Sequence, residues 1–161
     1  MKPKQEAEIL MNAVLPVAEQ MLKQYGEFYP YGACMRLDGT IAHIGITDPD
    51  VDHPRSKDLI YVLRISLQEM AQAKQCTAAA LVFAVVIGLP NSGRQSDAIQ
   101  VCVEHVDGYS VEVFFPYQIV DGAVVYGDTF AQQGKQDVFD HGGNEAIHNT
   151  YSARHFLKGS E

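Results

Sequence analysis

The chain has 161 residues, the size of one ordinary domain, and its 47% hydrophobic and 20% charged residues are typical of a globular protein rather than a disordered one. A net charge of −8 argues against nucleic acid as a partner, because binding phosphates requires clustered Lys and Arg. Three widely spaced cysteines form no disulfide framework, and the longest apolar run, residues 78–89, is too short to span a bilayer. With no signal peptide at its start, the chain is predicted to be cytoplasmic, without membrane contact.

The first predicted element is an amphipathic helix over residues 4–25. Pro16 lies inside it and is expected to kink or split it, and Gly26 supplies a stop signal. An aromatic connector at 27–32 is expected to hold the helix against a sheet. The apolar side chains recur at spacings of three and four: Ala7, Leu10, Val14, Ala18, Met21, Leu22 and Tyr25.

A hairpin follows, with strands at 31–37 and 40–46 joined at Asp38-Gly39. A two-residue loop at this turn would place Cys34 opposite His43, and such a pair would lower the thiol pKa. The alternative is a half-buried thiol beside a polar histidine. The two interpretations differ in whether this hairpin carries chemistry.

The segment before the second predicted helix carries carboxylates at alternate positions, Asp48, Asp50 and Asp52, followed by His53. This spacing resembles the start of a calcium loop, but that motif needs Gly at its sixth position and Glu at its twelfth. The chain has His53 and Leu59 there, so the motif fails. A looser divalent-metal site is one interpretation; the other is that aspartates at a turn satisfy backbone amides and favour the helix start.

The rest of the pattern predicts a central strand over 77–89, a hairpin of strands 98–106 and 109–117, and a short strand at 123–126. In the hairpin, a three-residue loop with Gly108 in a left-handed bulge position keeps the apolar faces together. The predicted class is therefore α+β, in the order α-β-β-α-β-β-β, with an extra short strand as a further option. The architecture is an antiparallel sheet of five to six strands with two helices on one face.

The chain divides into a predicted domain at 1–128 and an irregular C-terminal extension at 129–161. Periodicity is lost in the extension, yet it keeps apolar residues such as Val138 and Phe139. The extension is therefore expected to pack on the domain or on a partner subunit. A homodimer is one of the assemblies considered.

Three short segments carry a resemblance to a known family: Glu-Phe-Tyr-Pro-Tyr-Gly at 27–32, Ser-Asp-Ala-Ile-Gln-Val at 96–101 and Phe-Pro-Tyr at 115–117. With them the chain resembles a small bacterial family known only as a domain of unknown function. The resemblance implies a bacterial cytosolic setting and no particular activity. The element order is also similar to roadblock and profilin-like domains, which are scaffolds for dimers and partner proteins.

The sequence favours a non-enzymatic protein-interaction module with no cofactor, and a basic partner would suit its acidic charge. A role like that of an immunity protein or antitoxin belongs to this class. The alternative is an enzyme that binds a small ligand or a divalent metal through the 48–53 loop, beside Cys34 and His43. The candidate interaction residues lie in two predicted loops: Asp48, Asp50, Asp52, His53, Arg55, Asn91 and Arg94.

Overall fold

The structure, a computed structural model, describes residues 2–45 and 54–139. This part of the chain forms an α+β fold with an antiparallel sheet, as predicted. Its elements are α1 (Pro3–Tyr25), β1 (Tyr31–Arg36), β2 (Ile41–Ile44), α2 (Ser56–Gln72), β3 (Cys76–Gly88), β4 (Gln95–His105), β5 (Ser110–Val120), β6 (Ala123–Tyr126) and β7 (Phe130–Gln133).

The strands lie in the order β2-β1-β3-β4-β5-β6, and β7 pairs with the other half of the outer edge of β5. The short strand predicted at 123–126 is confirmed as β6. The strand β7 was not predicted, because its sequence, Phe-Ala-Gln-Gln, has little apolar alternation. Its Phe130 ring stacks on Phe114 of β5 with the ring centroids 5.0 Å apart.

One face of the sheet is covered by α1. The helix runs unbroken through Pro16 and ends at Gly26, whose φ of 74° gives the predicted left-handed stop. Its buried side chains pack on the alternate residues of the central strands that point to this side. The cluster includes Leu10, Val14, Ala18, Ala80, Val82, Ile99 and Val101.

The second helix, α2, covers the opposite face, so the prediction that both helices share one face is wrong. Ala79 and Cys34 lie in a cluster with Leu67 of α2, whereas Ala80 and Ala33, their neighbours in the strands, lie in the α1 cluster. Successive residues of a strand point to opposite faces. Because the central strands are apolar on both faces, each face needs a cover, and the two helices are divided between them.

The first hairpin differs from its predicted register by one residue. The Arg36 amide donates to the Thr40 carbonyl, and Gly39 takes a φ of 87°, so the loop has three residues rather than two. As a result Cys34 pairs with Ala42, and His43 pairs with Ala33.

The second hairpin matches its prediction. Val103 pairs with Val111, and the loop between His105 and Tyr109 has three residues, with Gly108 at a φ of 101°. The odd-numbered apolar residues of both strands therefore share one face, as the bulged loop requires.

After β7 the chain turns back over the α2 face as an extended strap, residues 134–139. It leaves the sheet at Gly134, where a Cβ atom would lie 2.8 Å from the Val111 nitrogen, too close for any other residue. Val138 and Phe139 are buried beside Cys34 and Leu67. In the described part of the chain, neither helix is both long and apolar enough to cross a membrane.

Candidate functional site

The main candidate site is a cavity of about 720 Å³, called the aromatic cavity below, at the edge of the sheet formed by β2. Known pockets for small molecules and peptide side chains have volumes of about 300–1,000 Å³ and mostly apolar walls. The aromatic cavity has this size and character. Its lining residues are Val17, Met21, Tyr25, Glu27, Phe28, Tyr29, Pro30, Tyr31, His43, Ile44, Gly45 and Ser56.

The wall contributed by α1 consists of Val17, Met21 and Tyr25. Residues four apart lie on the same side of a helix, so these three form a continuous apolar stripe. Met21 is 39% exposed and Tyr25 is 68% exposed, although the same helix buries its other stripe against the sheet. The C-terminal half of α1 therefore presents a second apolar surface that the described residues leave partly exposed.

Tyr31, the first residue of β1, fixes α1 beside the cavity. Its hydroxyl accepts a hydrogen bond from the Ala18 amide at 2.9 Å and donates one to the Val14 carbonyl. In a regular helix those two backbone groups would bond to each other, so the hydroxyl is inserted into the helical ladder. The insertion lies next to Pro16, and burial raises the pKa of the Tyr31 hydroxyl above its ordinary value of 10.0.

The connector between α1 and β1 supplies the aromatic part of the cavity. Phe28 packs edge-on against the Tyr31 ring with the centroids 6.0 Å apart, so it is held in place. Tyr29 is 51% exposed and lines the cavity from the rim. Exposed aromatic rings next to fixed ones are typical of surfaces that bind apolar or proline-rich segments.

The polar groups of the lining are few: Glu27, His43 and Ser56. Such groups orient a bound ligand, while the apolar walls supply most of the binding energy. Among the residues that the structure describes, no group of three His, Cys, Asp or Glu side chains is arranged to hold a metal ion. The described lining is thus suited to binding.

Four of the predicted site residues, Asp48, Asp50, Asp52 and His53, lie outside the described residues. The described residues on either side of them include Gly45 and Ser56, which both line the aromatic cavity.

The remaining predicted residues lie in two separate places. Arg55 occupies the N-cap position of α2 without a side-chain capping bond, and its Nε atom bonds to the Asp58 carboxylate at 3.1 Å. Asn91 lines a second cavity, of about 390 Å³, at the β3–β4 turn, and the Arg94 amide in this turn bonds to the Ser92 hydroxyl at 3.2 Å. Neither Arg55, Asn91 nor Arg94 lines the aromatic cavity.

The proposed Cys34–His43 dyad is wrong. Cys34 is completely buried and points to the α2 face, whereas His43 is exposed and points to the α1 face. Burial raises the pKa of the Cys34 thiol, which interacts with the Cys76 thiol in the core. A raised pKa lowers the thiolate fraction, so Cys34 is the opposite of an activated nucleophile.

Two buried titratable groups, Glu104 and His105, serve the fold. Glu104 accepts hydrogen bonds from the Val138 amide at 2.8 Å and the Phe139 amide at 3.2 Å, and burial raises its pKa to about 7. The His105 Nε2 atom lies 2.6 Å from a Glu6 carboxylate oxygen. Both groups hold a covering segment against the sheet.

Comparisons with known protein families, curated proteins and solved structures find no match to this chain. The site is therefore defined by its geometry alone. Sequence reasoning found the aromatic connector but not the cavity. The available signal was that Val17, Met21 and Tyr25 form a second stripe on α1, directly before an aromatic segment.

Proposed function

We propose that this chain is a non-enzymatic protein-interaction module that binds an apolar segment of a basic partner in the aromatic cavity. The observation that carries the proposal is the exposure of Met21, Tyr25 and Tyr29 around a 720 Å³ cavity. Large apolar side chains at a concave site contribute most of the binding energy in protein interfaces, and tyrosine is among the most effective. A peptide side chain or short extended segment fits this volume.

The charge of the chain supports a basic partner. The net charge is −8, and the polar lining includes the carboxylate of Glu27. Complementary charge raises association rates and disfavours acidic competitors. We therefore expect the bound segment to combine apolar residues with flanking Lys or Arg. An immunity- or antitoxin-like role is one instance of this class.

The chemistry of the buried groups also favours binding over catalysis. Burial raises the pKa values of Cys76 and Cys102 to about 11, so both thiols are protonated at neutral pH. Glu104, with its raised pKa, would be a candidate general base, but it bonds to the backbone of the strap. Cys76 packs in the core and Glu104 holds the strap, so both groups already have a structural role.

The test is a selection of displayed peptides against the purified protein. Peptides with an apolar centre and basic flanks should be enriched, and the Tyr25→Ser/Tyr29→Ser double variant should bind them at least about tenfold more weakly. The matched control, Ile119→Ser/Val120→Ser, removes two exposed apolar residues far along the chain and should leave the affinity unchanged. Equal binding to all three proteins would refute the proposed site.

A second candidate is a small-ligand site in the same cavity, because its volume lies within the range of small-molecule pockets. This candidate includes the alternative of an enzyme that binds a ligand or divalent metal with Asp48, Asp50, Asp52 and His53. Native mass spectrometry distinguishes a ligand in the cavity from a metal held by these four residues. An adduct that survives purification and is lost in the Tyr25→Ser/Tyr29→Ser variant would favour the ligand, and its loss in Asp50→Ala/His53→Ala would favour the metal.

A further inference from the structure

The β3–β4 hairpin extends well beyond β1, the strand that pairs with the outer edge of β3. The first residue of β1, Tyr31, pairs with Val82, and Pro30 before it has no amide hydrogen to continue the ladder. β3 nevertheless continues from Phe83 to Gly88, paired with β4 along its whole length. Among the residues that the structure describes, no strand pairs with the outer edge of this six-residue extension.

The hydrogen-bond pattern shows which backbone groups point out of this edge. At the two ends of the β3–β4 ladder, the Leu89 amide donates to the Arg94 carbonyl, and the Val106 amide donates to the Thr77 carbonyl. In an antiparallel pair, alternate residues bond to the neighbour, so the odd residues of β3 bond to β4. The amides and carbonyls of the even residues Ala84, Val86 and Gly88 therefore point outward.

Within the described part of the chain, this edge has none of the usual protection. Edge strands normally carry charges, prolines or bulges that prevent pairing with another chain. Here the segment reads Phe-Ala-Val-Val-Ile-Gly, its pairing with β4 is regular throughout, and the Val86 side chain is 64% exposed. The edge is thus a ready template for another strand.

We infer that the outer edge of β3, residues 83–88, pairs with the same edge of a second copy of this chain. Antiparallel pairing of a strand with itself has two-fold symmetry, so each copy offers the other an identical surface. The register that satisfies all three outward residues places Val86 opposite the partner's Val86, and Ala84 opposite the partner's Gly88. The sheet then continues from one subunit into the other.

The distribution of charge supports a second copy as the occupant. Two chains of net charge −8 repel each other, and their contact is least unfavourable where neither carries charge. Residues 75–93 contain no charged side chain, the longest such stretch in the chain, and the edge lies within it. The half-buried Val85 and Ile87 on the α2 face would also meet the partner's Ile87 and Val85 at the closely spaced positions of the ladder.

The test combines sedimentation with residue-resolved amide exchange over a range of protein concentrations. The wild-type protein should dimerise reversibly. The amides of Ala84, Val86 and Gly88 should become protected as the dimer forms, whereas those of Val85 and Ile87 should be protected at all concentrations by β4. This alternation is specific to edge pairing.

Three variants at one position complete the test. Val86→Lys brings two ammonium groups together at the two-fold axis, and Val86→Pro removes an outward amide; each should raise the dimer dissociation constant at least about tenfold. Val86→Thr retains both the amide and the β-branched shape and should stay within about threefold of the wild type. Circular dichroism checks that each variant is folded.

Two results would overturn the inference. One is a dimer with the same dissociation constant in the Lys and Pro variants, which would place the interface elsewhere. The other is a monomer at every concentration, whether its even-numbered amides exchange freely or are protected by another segment of the same chain.

Discussion

Glu104 and His105 are neighbours in β4, point to opposite faces of the sheet and hold different kinds of cover. On the α1 face, His105 bonds to Glu6 near the start of a 23-residue helix that already buries five side chains. On the α2 face, Glu104 bonds to the strap, which buries only Val138 and Phe139. The first cover is held mainly by packing. The strap is held mainly by polar contacts, which include Glu104, the Gln68 side chain on the Asp137 carbonyl and the Ser110 hydroxyl on the Lys135 carbonyl.

The two contacts also differ in their electrostatics. The Asp107 amide donates to Nδ1 of His105, so the ring proton is on Nε2 and is donated to the Glu6 carboxylate. Glu104 has only backbone donors at hydrogen-bonding distance, and Asp137 beside it adds to the rise in its pKa. At the strap, a change in pH and a substitution of Glu104 therefore act on the same contact.

The largest expected difference between the two covers concerns their packing. Leu10→Ala should lower the free energy of unfolding by about 2–5 kcal/mol, because Leu10 is fully buried under a helix that cannot collapse around the cavity left behind. Val138→Ala should cost clearly less, because the strap can move inward. Denaturant titration measures both, and an equal loss in the two variants would contradict the distinction.

The pH dependence of the α2 face is the next largest expected effect. The pKa of Glu104 rises from 4.5 to about 7 on folding, so between these values the folded protein holds a proton that the unfolded chain releases. The contribution of this proton to the free energy of unfolding is present in full below pH 4.5. It is lost as the pH rises to about 7, and it amounts to at most about 3 kcal/mol.

The measurement is the difference in free energy of unfolding between the wild type and Glu104→Gln, from pH 4 to pH 8. Because the other titrating groups are common to both proteins, the difference isolates Glu104. It should shift in favour of Glu104→Gln as the pH rises. A difference that stays constant over this range would show that Glu104 titrates normally.

A third prediction concerns the attachment of the strap. Glu104→Leu removes the acceptor of the Val138 and Phe139 amides, and the strap should lift at a cost of about 1–3 kcal/mol. The buried thiols of Cys34 and Cys76 should then react with a thiol reagent at least about tenfold faster. Glu104→Gln retains one acceptor oxygen and should restore most of the protection. Unchanged thiol reactivity in Glu104→Leu would mean that packing and the other hydrogen bonds of the strap, such as that from Gln68 to the Asp137 carbonyl, hold it without Glu104.

Two elements of the fold were predicted closely, α1 and the second hairpin. The helix α1 was predicted almost to the residue, because one of its sides is apolar and the pattern repeats over six turns. The second hairpin was predicted in register because Glu112 would have been buried on the wrong face by a two-residue loop. Apolar periodicity decided the first of these predictions, and a polar residue at a decisive position decided the second.

The first hairpin and the placement of α2 failed for a shared reason. The β1–β2 hairpin has apolar or small residues on both faces, such as Ala33 and Cys34, because each face has a helix. Alternation then no longer distinguishes one register from the next. The strap depends on contacts between residues far apart in the chain, for which a sequence has no periodic signal. The α1 stripe that lines the aromatic cavity is periodic, but the stripe alone does not indicate which residues complete the cavity.

The smallest expected effect concerns Tyr31, which bonds to α1 and also lines the aromatic cavity. Tyr31→Phe removes the hydroxyl inserted between Ala18 and Val14, and the helix can partly close its own bond there, so we expect a loss of only about 0.5–1.5 kcal/mol. Formation of the helical hydrogen bond between Ala18 and Val14 would shift the turns of α1 that carry Val17 and Met21. Binding of selected peptides should therefore weaken more than stability does. If instead the affinity stays unchanged while stability falls, Tyr31 supports the helix without shaping the aromatic cavity.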